Sequence, residues 1–91
     1  MPTVHLLIKG KVQGVFFRAT AKKIADKLNL TGWIKNREDD DVEAMVTGSQ
    51  QQLEEFINWC RKGPEKAEVE DVIVTQEKET VFNDFEVIRR K

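Results

Sequence analysis

Arg18 closes the run Ile8-Lys9-Gly10-Lys11-Val12-Gln13-Gly14-Val15-Phe16-Phe17-Arg18, and the residues around it describe a place where an anion can be held. Val4, Leu6 and Ile8 alternate ahead of the run, two glycines stand four apart within it, and a helical pattern follows directly. That order is a strand, a turn and a helix. Such a loop aims several backbone N–H groups, with the positive end of a helix dipole, at one point. At the first turn of the helix, the planar fork of Arg18 can close over two oxygens of a phosphate or carboxylate. Two glycines and an arginine also fit a tight turn with a solvated arginine, and for a generic spacing that plainer reading is the better one.

Other chemistries find little support. His5 is the only histidine, and a strand this short carries it several positions away from Arg18, as an outward or half-buried residue. Nucleophilic systems that pair serine or cysteine with histidine would need it. Cys60 is the lone cysteine, so neither an internal disulfide nor a cysteine metal cluster can form. The run Glu38-Asp39-Asp40-Asp41 lacks the alternating ligands, central glycine and distal glutamate of a calcium loop, and reads as a solvated turn.

The specific string narrows the anion reading. Gly10, Val12, Gln13, Gly14, Val15, Phe17 and Arg18 resemble the signature of the acylphosphatase family without a gap or mismatch, and Gly32-Trp33-Ile34-Lys35-Asn36 resembles its second motif. Val42-Glu43 and Gly48 continue the likeness, and the total length also suits. The resemblance implies hydrolysis of carboxyl-phosphate mixed anhydrides to a carboxylate and inorganic phosphate, with no metal and no cofactor. It also implies that Arg18 and the backbone N–H groups of Val12, Gln13, Gly14, Val15, Phe16 and Phe17 hold the phosphoryl oxygens, while the amide of Asn36 orients the attacking water. A carboxylate leaves readily at neutral pH, so the absence of a convincing general acid is consistent with this chemistry. Taken alone, Asn36 would be a strand-end residue bonding the hairpin backbone. The chain departs from the family at Asp40, where glycine is usual. If that position has positive φ, Asp is among the few residues that adopt it at modest cost. Its charge also bears on anion affinity nearby.

The elements that must position these residues follow from periodicity. Val4 to Ile8 is expected as a strand, and Ala21, Ile24, Ala25 and Leu28 predict an amphipathic helix from about 18 to 29. Lys22, one turn from Arg18, could add positive potential, and Asn29 suits a left-handed cap. Trp33 to Arg37 and Val42 to Thr47 read as a hairpin, with Trp33 shaping the surroundings of the site. Ser49 with Gln52 forms a capping-box pattern, and Leu53, Phe56, Ile57 and Cys60 extend a second helix from about 50 to 62, stopped by Gly63-Pro64. Val69 to Thr75 and Phe85 to Ile88 complete the strands. The expected fold is an α+β ferredoxin-like sandwich, βαββαβ plus a C-terminal strand, with two helices on one face of a mainly antiparallel sheet. Many activities use that fold, so it does not decide function.

Composition sets the remaining bounds. Ninety-one residues, 40% hydrophobic and 34% charged, make one ordered domain spanning 1–91. A formal net charge of −1 disfavours nucleic acid and leaves no global steering of an anionic substrate, so any anion site must be made locally. Neither a targeting segment nor a membrane-length apolar run is visible, which makes a cytoplasmic monomer acting on a small acyl phosphate the default expectation. Two rivals stand beside it. One is a non-catalytic phosphate-binding module on the same fold. The other is a single-stranded RNA-binding domain, whose basic, aromatic strand motif is missing from Val42-Glu43-Ala44-Met45-Val46.

Overall fold

A computed structural model describes residues 1–89. The element order is β1 (Thr3–Lys11), α1 (Phe17–Lys27), β2 (Thr31–Asn36), β3 (Val42–Thr47), α2 (Gln50–Lys62), β4 (Glu68–Glu77) and β5 (Phe85–Ile88). The five strands form one sheet in the order β4-β1-β3-β2-β5. Every neighbouring pair is antiparallel except β2 with β5, which is parallel. This is the βαββαβ order with a further strand that the periodicity predicts.

Alternation along β1 explains the layering. Val4, Leu6 and Ile8 are buried, whereas His5, Leu7 and Lys9 on the opposite face are partly exposed. Ile34, Ala44, Val46 and Phe85 join the buried face, over which α1 contributes Phe17, Ala21 and Ala25 and α2 contributes Leu53, Phe56 and Cys60. Fully burying the larger of these side chains, such as Ile34, Leu53 and Phe56, contributes roughly 1.5–3 kcal/mol each. Burial raises the proton affinity of the Cys60 thiol well above its ordinary value. Trp59 packs at the end of the same layer, with ring centroids 5.2 Å from Phe17 and 6.4 Å from Phe56.

Helix boundaries have local causes. Ser49 accepts a hydrogen bond from the Gln52 N–H while the Gln52 side chain accepts from the Ser49 N–H, closing the expected capping box. α2 ends at Lys62, with Gly63 at φ 72° next. α1 begins at Phe17 and stops at Lys27, short of the expected position 29, because Asn29 turns left-handed at φ 60° and ends the helical run.

Two sequence features fix the neighbourhood of the site. β1 and β4 change register between Lys9 and Gly10, and a Cβ at Gly10 would lie 2.2 Å from the carbonyl oxygen of Glu68, so the first motif glycine admits the close approach of β4. β1 and β2 both pair antiparallel with β3, and β5 runs parallel to β2, so the C-terminal ends of β1, β2 and β5 lie at one end of the sheet. The loop after β1, Asn36 and Arg89 therefore meet there. No helix among the described residues is long and apolar enough to cross a membrane.

Candidate active site

The loop from Val12 to Phe16 is pinned by apolar side chains and leaves its backbone open. Val12 and Val15 are buried, as is Phe17 at the start of α1, while Phe16 is 78% exposed. Gly14 stands at φ 72°, and a Cβ built there meets nothing within 4 Å. Positive φ makes glycine favourable there, and the open space in front of it is a concavity of the kind an anion fills. Phe16 is itself left-handed at φ 65° although it is not glycine, a conformation that costs about 1–2 kcal/mol and persists only where the surroundings impose it. Buried Val15 and Phe17 on either side supply that constraint.

The end of α1 is prepared for negative charge. Phe16 caps it without a side-chain hydrogen bond, and no acidic residue stands in the first turn. The Thr20 N–H bonds the carbonyl oxygen of Phe16, which leaves the preceding N–H groups outside the helical ladder. Those groups and the helix dipole give the loop a positive face. Arg18 stands in this first turn. Partial burial lowers its proton affinity, and the neighbouring Arg89 guanidinium lowers it further, but an arginine stays charged under any physiological condition.

Asn36 reaches the same place from β2. It is the last residue of that strand, paired with Val42, and its Oδ1 is buried with no hydrogen-bond partner. Leaving such an acceptor unmet costs about 1–3 kcal/mol, so the Asn36 amide keeps hydrogen-bonding capacity that the fold itself does not use. Asn36 and Arg18 line one cavity of about 410 Å³, together with Val12, Gly14, Phe16, Phe17, Ala19 and Arg89. Within the expected loop set, Val12, Gly14, Phe16, Phe17 and Arg18 therefore meet Asn36 in one cavity, while buried Val15 supports it from behind.

Gln13 faces away from this cavity and holds the two motifs together. Its Nε2 donates to the carbonyl oxygens of Arg37 at 2.8 Å and Asp41 at 2.9 Å. The Arg37 N–H also donates to the Asp41 carbonyl at 2.8 Å, so one side chain ties the loop to both ends of the hairpin turn that begins after Asn36. Asp40 occupies that turn at φ 73°, so the condition under which Asp can replace the family's glycine at modest cost is met. Two of the four acids of the run are paired: Asp39 accepts from the Arg37 Nε at 3.1 and 3.2 Å, and Asp41 accepts from the Lys9 Nζ at 2.9 Å. Arg37 accordingly holds the Asp39 carboxyl below its usual range, and Asp41 raises the proton affinity of Lys9.

Three residues behave differently from the simplest expectation. Lys22 donates to Asp26 at 3.0 Å and to the Phe85 carbonyl at 2.9 Å, so its charge is spent on fastening α1 to β5. Trp33 lines neither of the two cavities that share Asn36, and instead lies under Lys35, whose Nζ is 5.2 Å from the ring centroid. Arg89 does line the Arg18 cavity, a residue that no local motif singles out. Its signal is the parallel pairing of β5 with β2, which local sequence does not reveal. His5 keeps its distance, bonding Glu43 through Nε2 at 2.7 Å on the open face of the sheet.

Comparison with known proteins bears on the family and the fold. The acylphosphatase family model matches residues 4–87. An acylphosphatase of Syntrophus aciditrophicus is 43% identical over 89 residues, which cover 97% of this chain and 93% of the relative. The crystal structure of acylphosphatase from Bacillus subtilis superposes with a TM-score of 0.94 at 32% identity, covering 98% of this chain and 100% of that one. An acylphosphatase structure from Coxiella burnetii gives 0.92 at 37% identity, over 96% and 92% of the two chains. Matched along almost its whole length in sequence and in fold, this chain belongs to the acylphosphatase family.

Proposed function

We propose that this protein hydrolyses acyl phosphates to a carboxylate and inorganic phosphate, that Arg18 and the N–H groups of residues 12–18 hold the phosphoryl group, and that Asn36 positions the water. The observation that carries the assignment of roles is the place of Asn36, which lines one cavity with Arg18 and whose side-chain Oδ1 has no hydrogen-bond partner. An amide oxygen is too weak a base to remove a proton, but it can accept one O–H of a water and aim the water's lone pair at phosphorus.

The chemistry asks for little more. Water oxygen bonds to phosphorus as the bond from phosphorus to the acyl oxygen breaks, and that electron pair leaves on the carboxylate. The proton from water is released to phosphate or solvent. The transition state is loose, with charge spread over three equatorial oxygens, so fixed donors around those oxygens supply most of the catalysis. Holding the nucleophile in line removes several kcal/mol of barrier more, by analogy with other pre-oriented reactions. The positive charge comes from Arg18 and the helix dipole, so the proposed reaction runs without a metal or cofactor. The same reading takes the protein as a single-domain cytoplasmic monomer acting on small molecules.

Benzoyl phosphate hydrolysis in the presence of EDTA, with Arg18→Ala beside the wild type, tests this reading. The expected result is turnover above the spontaneous rate that disappears with Arg18. Phosphate binding without turnover by the folded wild type would leave a non-catalytic anion-binding module, and activity that EDTA removes and a divalent ion restores would overturn the metal-free mechanism.

A further inference from the structure

We propose that Arg89 is a second arginine of the active site, whose guanidinium contacts an oxygen of the transferring phosphoryl group on the side from which water attacks. The inference rests on the acyl phosphate reading and deepens it, because it adds the residue that follows β5 to the catalytic surface.

Position is the first support. The parallel register of β2 and β5 closes with Lys35 opposite Ile88, so the next residues along the two strands are Asn36 and Arg89. Adjacent strands lie about 4.8 Å apart, which is within reach of an arginine side chain. Arg89 lines the cavity that also holds Gly14, Arg18 and Asn36.

Charge is the second. Among the described residues, neither Arg18 nor Arg89 forms an ion pair with a carboxylate, whereas Lys9, Lys22, Lys35 and Arg37 all do. Two guanidinium groups facing one cavity repel each other, and the proton affinity of Arg18 is lowered accordingly, after the larger effect of burial. An anion of charge near −2 between them relieves that repulsion, and a phosphoryl dianion carries that charge. A single carboxylate would balance only one of the two.

The in-line geometry of phosphoryl transfer then fixes which side Arg89 serves. Water and the leaving oxygen stand on opposite sides of phosphorus. With water held by Asn36, the acyl group departs away from β2, and Arg89, next to Asn36, faces the entering water and the phosphoryl oxygens. Loss of Arg89 therefore weakens all acyl phosphates alike, whatever the acyl group carries.

The test compares butyryl phosphate with succinyl phosphate, which has a similar chain and an added carboxylate, and measures competitive inhibition by inorganic phosphate. Wild type, Arg89→Gln and Arg89→Lys are assayed, with Tm recorded for each. The expected result for Arg89→Gln is a fall in kcat/KM of about tenfold on both substrates and a rise of about tenfold in the phosphate inhibition constant. Tm stays within a few degrees, and Arg89→Lys recovers part of the loss. A loss confined to succinyl phosphate would overturn the proposal by placing Arg89 at the acyl group. Unchanged kinetics in Arg89→Gln would overturn it outright, and a fall in Tm that tracks the fall in rate would reduce Arg89 to a structural role. If the wild type hydrolyses neither substrate, the acyl phosphate reading itself fails; wild-type turnover with an indifferent Arg89→Gln removes only the role of Arg89.

Discussion

Asn36 stands between two cavities that differ in charge more than in shape. The larger, about 740 Å³, is walled by Gln13, Lys35, Arg37, Glu38, Asp39 and Glu43. Its cations are matched: Lys35 lies 3.9 Å and Arg37 3.6 Å from Glu43, and Arg37 also bonds Asp39. The smaller holds Arg18 and Arg89 and, among the described residues, no carboxylate. Volume alone would choose the first, but a polar wall whose charges already neutralise one another gains little from an incoming anion. Unmatched cations and helix N–H groups outside the helical ladder point to the second.

That contrast can be broken by substitution, beginning with the residue on which it depends most. Arg18→Ala is expected to abolish both turnover and phosphate binding while the circular dichroism spectrum persists; a folded variant with normal rates would refute the site. Asn36→Ala is expected to lose activity by about two orders of magnitude, the scale of a misplaced nucleophile, with phosphate binding largely kept. Equal losses in rate and phosphate affinity would instead make Asn36 an anion ligand. Gln13→Ala removes two hydrogen bonds between the loop and the hairpin, for about 1–2 kcal/mol of stability and about tenfold in rate. Chemical denaturation and steady-state assays would show both, and a stability change without a rate change would separate the clamp from catalysis. Arg37→Gln, across Asn36 in the paired cavity, is expected to change kcat/KM by less than about threefold, because exposed ion pairs contribute only about 0.2–1 kcal/mol. A loss matching that of Arg18→Ala would reverse the assignment of the two cavities.

Much of this was legible before any coordinates. The 3.6-residue stripes predict both helices, and the limits of α2 coincide with those expected because a capping box opens it and glycine closes it. The loop and Asn36 are carried by strings specific enough to read together, and the positive φ at Asp40 follows from what a tight turn asks of its backbone. β4 proved longer than its apolar stretch: backbone pairing with β1 continues to Glu77 at the sheet edge, where side chains stay exposed and leave no hydrophobic pattern. The place of Arg89 and the grip of Gln13 on two carbonyls were not legible, since each depends on chain segments brought together by sheet register rather than on neighbours in sequence.

Cys60 turns the core into a clock. Its sulfur is sealed between α2 and the sheet and kept as the unreactive thiol, so a labelling reagent can attack it only after that layer parts. The labelling rate in dilute buffer therefore counts openings of the folded chain, without an engineered cysteine. Phosphate held by the loop beside Phe17 stabilises the closed form by mass action and slows that count, so one buried sulfur, in the turn of α2 that packs against Phe17, can report how tightly the anion is gripped.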